Sequence, residues 1–122
     1  MNHNESVEDY LETILILSEE KPVVRSVDIA NETGFSKPSI SIAVKNMKAK
    51  NYITVSDEGY ITLSESGRVI AERVYERHKF FRKWLISLGV DKETANDDAC
   101  RIEHVITKES FEAIRNSVEK RG

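Results

Sequence analysis

The sequence predicts a mainly α-helical chain in which a helix-turn-helix is followed by a β-hairpin and then by a second helical half. Three observations carry this prediction. Two short helical patterns meet at Gly34 with almost nothing between them. The apolar period changes from helical to alternating after Asn51 and returns to helical after Ser64. No apolar run of about 18 residues occurs, so no membrane span is expected. A length of 122 residues with 39% hydrophobic side chains suits one compact domain or two small helical subdomains sharing a core.

The first helix is expected over residues 5–19, where Val7, Tyr10, Leu11, Ile14, Leu15 and Leu17 fall near helical spacing and Ser6 offers a cap. Its other face carries Asp9 and Glu12 at i and i+3, side by side. The helix dipole alone accounts for acids in a first turn, so Glu8 and Asp9 need no ligand to explain them. Lys21-Pro22 ends this helix. Ser26 is expected to cap a second, short one through Val27, Ile29 and Ala30, stopping at Gly34. The third begins at Phe35 with capping residues and an early proline, and places Ile40, Val44 and Met47 along one face.

The outer face of that third helix offers Ser36, Lys37, Pro38, Ser39, Ser41, Ile42 and Lys45, a small, polar and basic surface suited to a DNA major groove. A purely structural helical hairpin would show the same helices, and the charge pattern favours DNA. The chain as a whole carries −3, yet residues 21–50 hold six basic residues against two acidic ones, while residues 1–20 hold six acids and no base.

Tyr52–Val55 and Tyr60–Leu63 alternate around Ser56-Asp57-Glu58-Gly59, a hairpin pattern. A helix-turn-helix followed at once by a hairpin is the order of a winged helix-turn-helix DNA-binding domain with a β-hairpin wing. The acidic tip, Asp57 and Glu58, is expected to add little phosphate affinity. A long helix then runs from Ser64 to about Leu88, ended by Gly89. Asp91 caps a shorter one, and a last helix starts near Lys108 with Phe111, Ile114 and Val118. The apolar faces left over in this half fit a homodimer interface or burial within one chain equally well.

The shorter helix ends in Asp98-Ala99-Cys100-Arg101-Ile102-Glu103-His104. On a helix, Cys100, Glu103 and His104 stand at i, i+3 and i+4, so a thiol, a carboxylate and an imidazole share one face. This is the sole cysteine, and histidine occurs only three times. A lone cysteine is ordinarily a small buried hydrophobe and a Glu-His pair an ordinary solvated face, so this stretch alone leaves the metal and the structural readings level. His78, between Arg77 and Lys79, reads by itself as an exposed or hydrogen-bonded histidine. The polar, acidic amino terminus lacks the pattern of a secretory signal, and one cysteine cannot form an internal disulfide. Both point to the reducing cytoplasm, where a thiolate stays available.

Taken together, Ser6-Val7-Glu8-Asp9-Tyr10-Leu11-Glu12, Ser36-Lys37-Pro38-Ser39, Arg77-His78 and the Asp98–His104 stretch resemble the metal-dependent repressors of the diphtheria toxin repressor and manganese transport regulator type, over essentially all 122 residues. The resemblance implies a DNA-binding domain over residues 1–72 and a helical metal-binding and dimerisation domain over 73–122. It also implies a homodimer that binds a double-stranded DNA operator and takes Fe²⁺ or Mn²⁺ as corepressor. Residue by residue, it makes Asp9, Glu12, His78, Cys100, Glu103 and His104 the metal ligands. Metal would then tie the first helix of the head to the dimerising helices and restrict the heads to a spacing that suits two major grooves.

Cys100-Arg101 matches the iron-responsive type, whereas Asp9 and Glu12 match the manganese type, which has a glutamate where Cys100 stands. A thiolate favours Fe²⁺, Co²⁺ or Zn²⁺ and the carboxylates keep the site hospitable to Mn²⁺, so Fe²⁺ is expected with Mn²⁺ close behind, and Co²⁺ or Zn²⁺ in vitro. Six ligands exceed the needs of one tetrahedral ion, leaving room for a second bridged by Glu103. A short two-domain form is expected, without the SH3-like third domain of the longer iron-type repressors. The rival reading is a winged-helix regulator that senses thiol oxidation at Cys100. An enzyme is not expected, because no substrate pocket or placed general base is evident. His3 is treated as part of a disordered terminus that could approach Asp9.

Overall fold

The structure is a computed structural model that describes residues 6–121; His3 lies outside the described residues. The elements are α1 (Val7–Glu20), α2 (Ser26–Thr33), α3 (Lys37–Ala49), β1 (Ile53–Val55), β2 (Ile61–Leu63), α4 (Glu65–Ser87), α5 (Lys92–Val105) and α6 (Lys108–Arg121). The chain divides into two compact units, with the break after Val74 inside α4. Among the described residues no helix is long and apolar enough to cross a membrane.

In the first unit, the Ser6 hydroxyl accepts from the Asp9 N–H at 3.1 Å and starts α1. This helix packs on α2, α3 and β2 and buries Leu11, Ile14, Leu15 and Leu17. Ser26 is the first helical residue of α2 rather than its cap. The N-cap is Arg25, whose N–H donates to the Asp28 carboxylate at 2.8 Å. Half of a capping box thus forms from the third helical position without a capping side chain at the first. Gly34 adopts φ 78° and closes α2, and three residues later α3 begins, capped by Ser36 with Pro38 in its first turn.

Asn51, at φ 62°, turns the chain out of α3, and the Tyr52 N–H reaches back to the Met47 carbonyl at 3.0 Å. The hairpin pairs Ile53 with Leu63, Thr54 with Thr62 and Val55 with Ile61. Ile53, Ile61 and Leu63 are buried while Thr54 and Thr62 are exposed, which is the alternation a half-covered sheet requires. Its outer edge is not bare, since the Ile61 N–H donates to the Val24 carbonyl at 2.7 Å. Gly67, at the start of α4, is needed where it stands: a Cβ there would overlap the Tyr52 carbonyl oxygen.

The second unit is built on Phe81, Ala99 and Phe111, with Phe80, Trp84, Ile102, Ile106 and Ile114 packed around them. Phe80 and Phe81 both meet Phe111 edge-on, with centroids 5.5 and 5.6 Å apart. Asp91 caps α5 by accepting from the Thr94 N–H at 3.1 Å, and the Thr107 hydroxyl does the same for Ser110 at the start of α6. Arg77 lies over the Phe111 ring and donates to the Ile106 carbonyl at 3.3 Å, which fixes the corner between α5 and α6.

Candidate metal centre and nucleic-acid interface

Within the second unit, His78 and Phe81 lie at i and i+3 on α4, so the buried phenyl ring that anchors the core also turns His78 inward. On α5, Ala95 and Ala99 are fully buried. Cys100 and Glu103 follow on the same side, at 3% and 2% exposure. The result is a convergence of donor atoms: His78 Nδ1 lies 3.3 Å from Cys100 Sγ and 3.4 Å from Glu103 Oε2. The other carboxylate oxygen, Glu103 Oε1, lies 3.4 Å from His104 Nε2. Here the structure brings together four of the six expected metal ligands.

A thiol, a carboxylate and two imidazoles are the donor set of a borderline divalent ion. Metal–donor bonds of about 2.0–2.3 Å place donors that share an ion roughly 3–3.5 Å apart, and these atoms already stand at such spacings. Three of these residues, His78, Cys100 and Glu103, are buried, where polar groups are costly to place unless they serve one another or a ligand. The residues present fit a metal.

Sequence reasoning missed Asn96, whose Oδ1 lies 2.9 Å from His78 Nε2. Its one visible signal is position: Asn96, Cys100 and Glu103 are spaced i, i+4, i+7, one stripe of α5.

In the first unit, Asp9 and Glu12 are buried at 1% and 4% exposure. The helix dipole rewards an acid without requiring burial, so it does not account for these two. It does suit Glu8, which is only partly buried and pairs with Arg73 at 3.2 Å.

On α3, Ser36, Lys37, Pro38, Ser41, Ile42 and Lys45 are exposed and Ser39 is half-buried, while Ile40 and Met47 point to the core. Ser36 accepts from the Ser39 N–H at 3.3 Å and donates to the Ser39 hydroxyl at 2.9 Å, which shapes the leading turn of the helix. At the wing tip, hydrogen bonds from its own backbone N–H and from Ser56 hold the Glu58 carboxyl below its usual range. The tip therefore stays anionic, and the basic face of α3 is the surface suited to phosphates.

Fold and site together define a winged-helix transcriptional regulator with a metal-binding helical half. Residues 3–61 match the iron dependent repressor, N-terminal DNA binding domain, and residues 64–121 match the iron dependent repressor, metal binding and dimerisation domain. The transcriptional regulator MntR of Escherichia coli O6:H1 is 31% identical over 121 residues, 99% of this chain and 78% of that protein. An HTH-type transcriptional regulator of Methanocaldococcus jannaschii is 29% identical over 119 residues, 96% and 95% of the two chains. The solved structure of the manganese regulator SloR shares the fold, with a TM-score of 0.83 at 23% identity over 98% of this chain. The present chain spans 55% of the length of SloR.

This chain belongs to the iron-dependent repressor family. It is a metal-dependent DNA-binding transcriptional repressor, not an enzyme.

Proposed function

We propose that the chain represses metal-homeostasis genes from the cytoplasm with Fe²⁺ or Mn²⁺ as corepressor, held by Asp9, Glu12, His78, Cys100, Glu103 and His104. The observation that carries this reading is the convergence of His78, Cys100 and Glu103 at 3.3–3.4 Å, all three buried within the second unit. Burial of Asp9 and Glu12 on α1 supports their place in the set. A bound divalent ion supplies positive charge that the carboxylates and thiolate share.

The residues themselves do the rest. Cys100 provides the soft donor that favours Fe²⁺ over Mn²⁺, and the carboxylates keep Mn²⁺ acceptable. Glu103 turns one oxygen toward each of two imidazoles, an arrangement that supports its use as a bridge between two ions. Residues 1–72 serve as the DNA-binding head and 73–122 as the metal-binding and dimerising half. In the head, Ser36, Lys37, Pro38, Ser39, Ser41, Ile42 and Lys45 face the operator, the lysine charge giving affinity and the helix face reading base edges.

Sensing of thiol oxidation is disfavoured. Sensor cysteines are solvent-accessible, whereas Cys100 is 3% exposed. The direct test is an anaerobic operator titration with and without Fe²⁺, repeated with Mn²⁺ and Zn²⁺. Tight binding only with metal is expected, and equal affinity in its presence and absence would sink the corepressor role.

A further inference from the structure

We infer that Asn96 is the positioning residue that fixes the tautomer of His78, so that Nδ1 and not Nε2 is the atom offered to the ion. The inference rests on the metal reading above and extends it to a residue outside the ligand set. His78 Nε2 lies 2.9 Å from Asn96 Oδ1. An amide oxygen only accepts, so Nε2 carries the hydrogen. A neutral imidazole has one such hydrogen, and Nδ1 is left with its lone pair. That lone pair faces Cys100 Sγ at 3.3 Å and Glu103 Oε2 at 3.4 Å.

The consequence is chemical. A thiol can donate to Nδ1, but an ionised carboxylate cannot. A cation on the side where Cys100 and Glu103 stand can take that lone pair directly. The contrary arrangement is equally definite: with the amide turned over, Asn96 would donate to Nε2, and Nδ1 would carry the hydrogen and direct it at Glu103. That histidine would have to lose a proton or rotate before it could ligate.

The structure presents the first arrangement, with Asn96 Oδ1 and not the amide nitrogen against Nε2, and α5 supplies both sides of the ring's environment. Asn96, Cys100 and Glu103 lie on one stripe of that helix, so the acceptor that holds the ring's far nitrogen and the donors that would share the ion move as one rigid piece. Ligating histidines in general hand their second N–H to an acceptor that fixes ring orientation and raises basicity. An amide does so without adding another negative charge to a pocket that already holds a carboxylate and a thiol.

The test uses the full chain, Asn96→Leu and Asn96→Asp, each checked for helical content and a cooperative melt. In the metal-free state, long-range ¹H–¹⁵N correlations on histidine-labelled protein report which nitrogen of His78 carries the hydrogen. A Co²⁺ titration followed by the thiolate charge-transfer band then reports affinity. Wild type should show the Nε2–H tautomer. N96L should show mixed tautomers and bind Co²⁺ about 10- to 100-fold more weakly, while N96D, which keeps an acceptor, should stay near wild type in both readouts.

An Nδ1–H tautomer in wild type would overturn the assignment. So would N96L with unchanged tautomer and affinity, or N96D losing as much as N96L. A wild-type chain without any cobalt–thiolate band would instead defeat the metal reading, and the tautomer measurement would still decide for or against Asn96.

Discussion

Cys100 is the residue at which a single atom changes the preference of the centre. Its sulfur belongs to the sole cysteine of the sequence and lies 3.3 Å from His78 Nδ1, so Cys100→Ala should weaken Fe²⁺ and Co²⁺ binding by at least about tenfold, the lower end of what losing a supporting contact already costs. Mn²⁺, which gains least from sulfur, should lose less. Competition titrations of the three ions measure this, and unchanged affinity together with unchanged metal-dependent operator binding would remove Cys100 from the ligand set. Cys100, Glu103 and His104 were legible in the sequence because helical spacing alone stacks them. His78 was not legible on its own, since its partner thiol is 22 positions away and only packing joins them. Asn96 was invisible for a related reason: nothing in the neighbours of an asparagine says what its amide will face.

Elements were more legible than contacts, because a change of apolar period marks a change of element while caps and close approaches depend on single atoms. The helix-turn-helix, the hairpin and the three later helices follow the sequence pattern. The α2 cap does not, because Asp28 reaches back to Arg25, and the Val24–Ile61 rung leaves no trace in the period. Two element-scale outcomes are expected. Gly67→Ala should strip the wing from the start of α4, because the added methyl overlaps the Tyr52 carbonyl; proteolysis between β1 and β2 should accelerate. At α5, hydrogen bonds from Thr94 hold the Asp91 carboxyl below its usual range. A carboxyl lowered in the folded state stabilises above its unfolded pKa and loses that contribution as pH falls through the folded value. The melting temperatures of wild type and Asp91→Ala should therefore differ at neutral pH and converge on acidification below the ordinary carboxylate range.

At the scale of the whole molecule, function depends on two copies acting as one. A single recognition helix reads one half-site, and two held about 34–36 Å apart read successive turns of the same face of DNA. Linking two such modules raises overall affinity by about 10²–10⁴ without any new contact. The family's second domain is a dimerisation domain, and in this chain a groove on the second unit is lined by Trp84, Leu88, Ala113, Ile114 and Val118. Leu88 is 65% exposed there, a large apolar surface for a side chain beside an apolar groove. If a second copy covers this groove, Leu88→Glu places a charge in a desolvated interface and should convert the dimer to monomer in sedimentation equilibrium. Operator affinity with metal present should fall by about 10²–10⁴, the full loss of two-point attachment. Cobalt binding should be retained, because Leu88 lies outside the proposed ligand set, and this separates a lost dimer from a lost fold. A variant that remains dimeric with full operator affinity would place the interface on another face of the helical half.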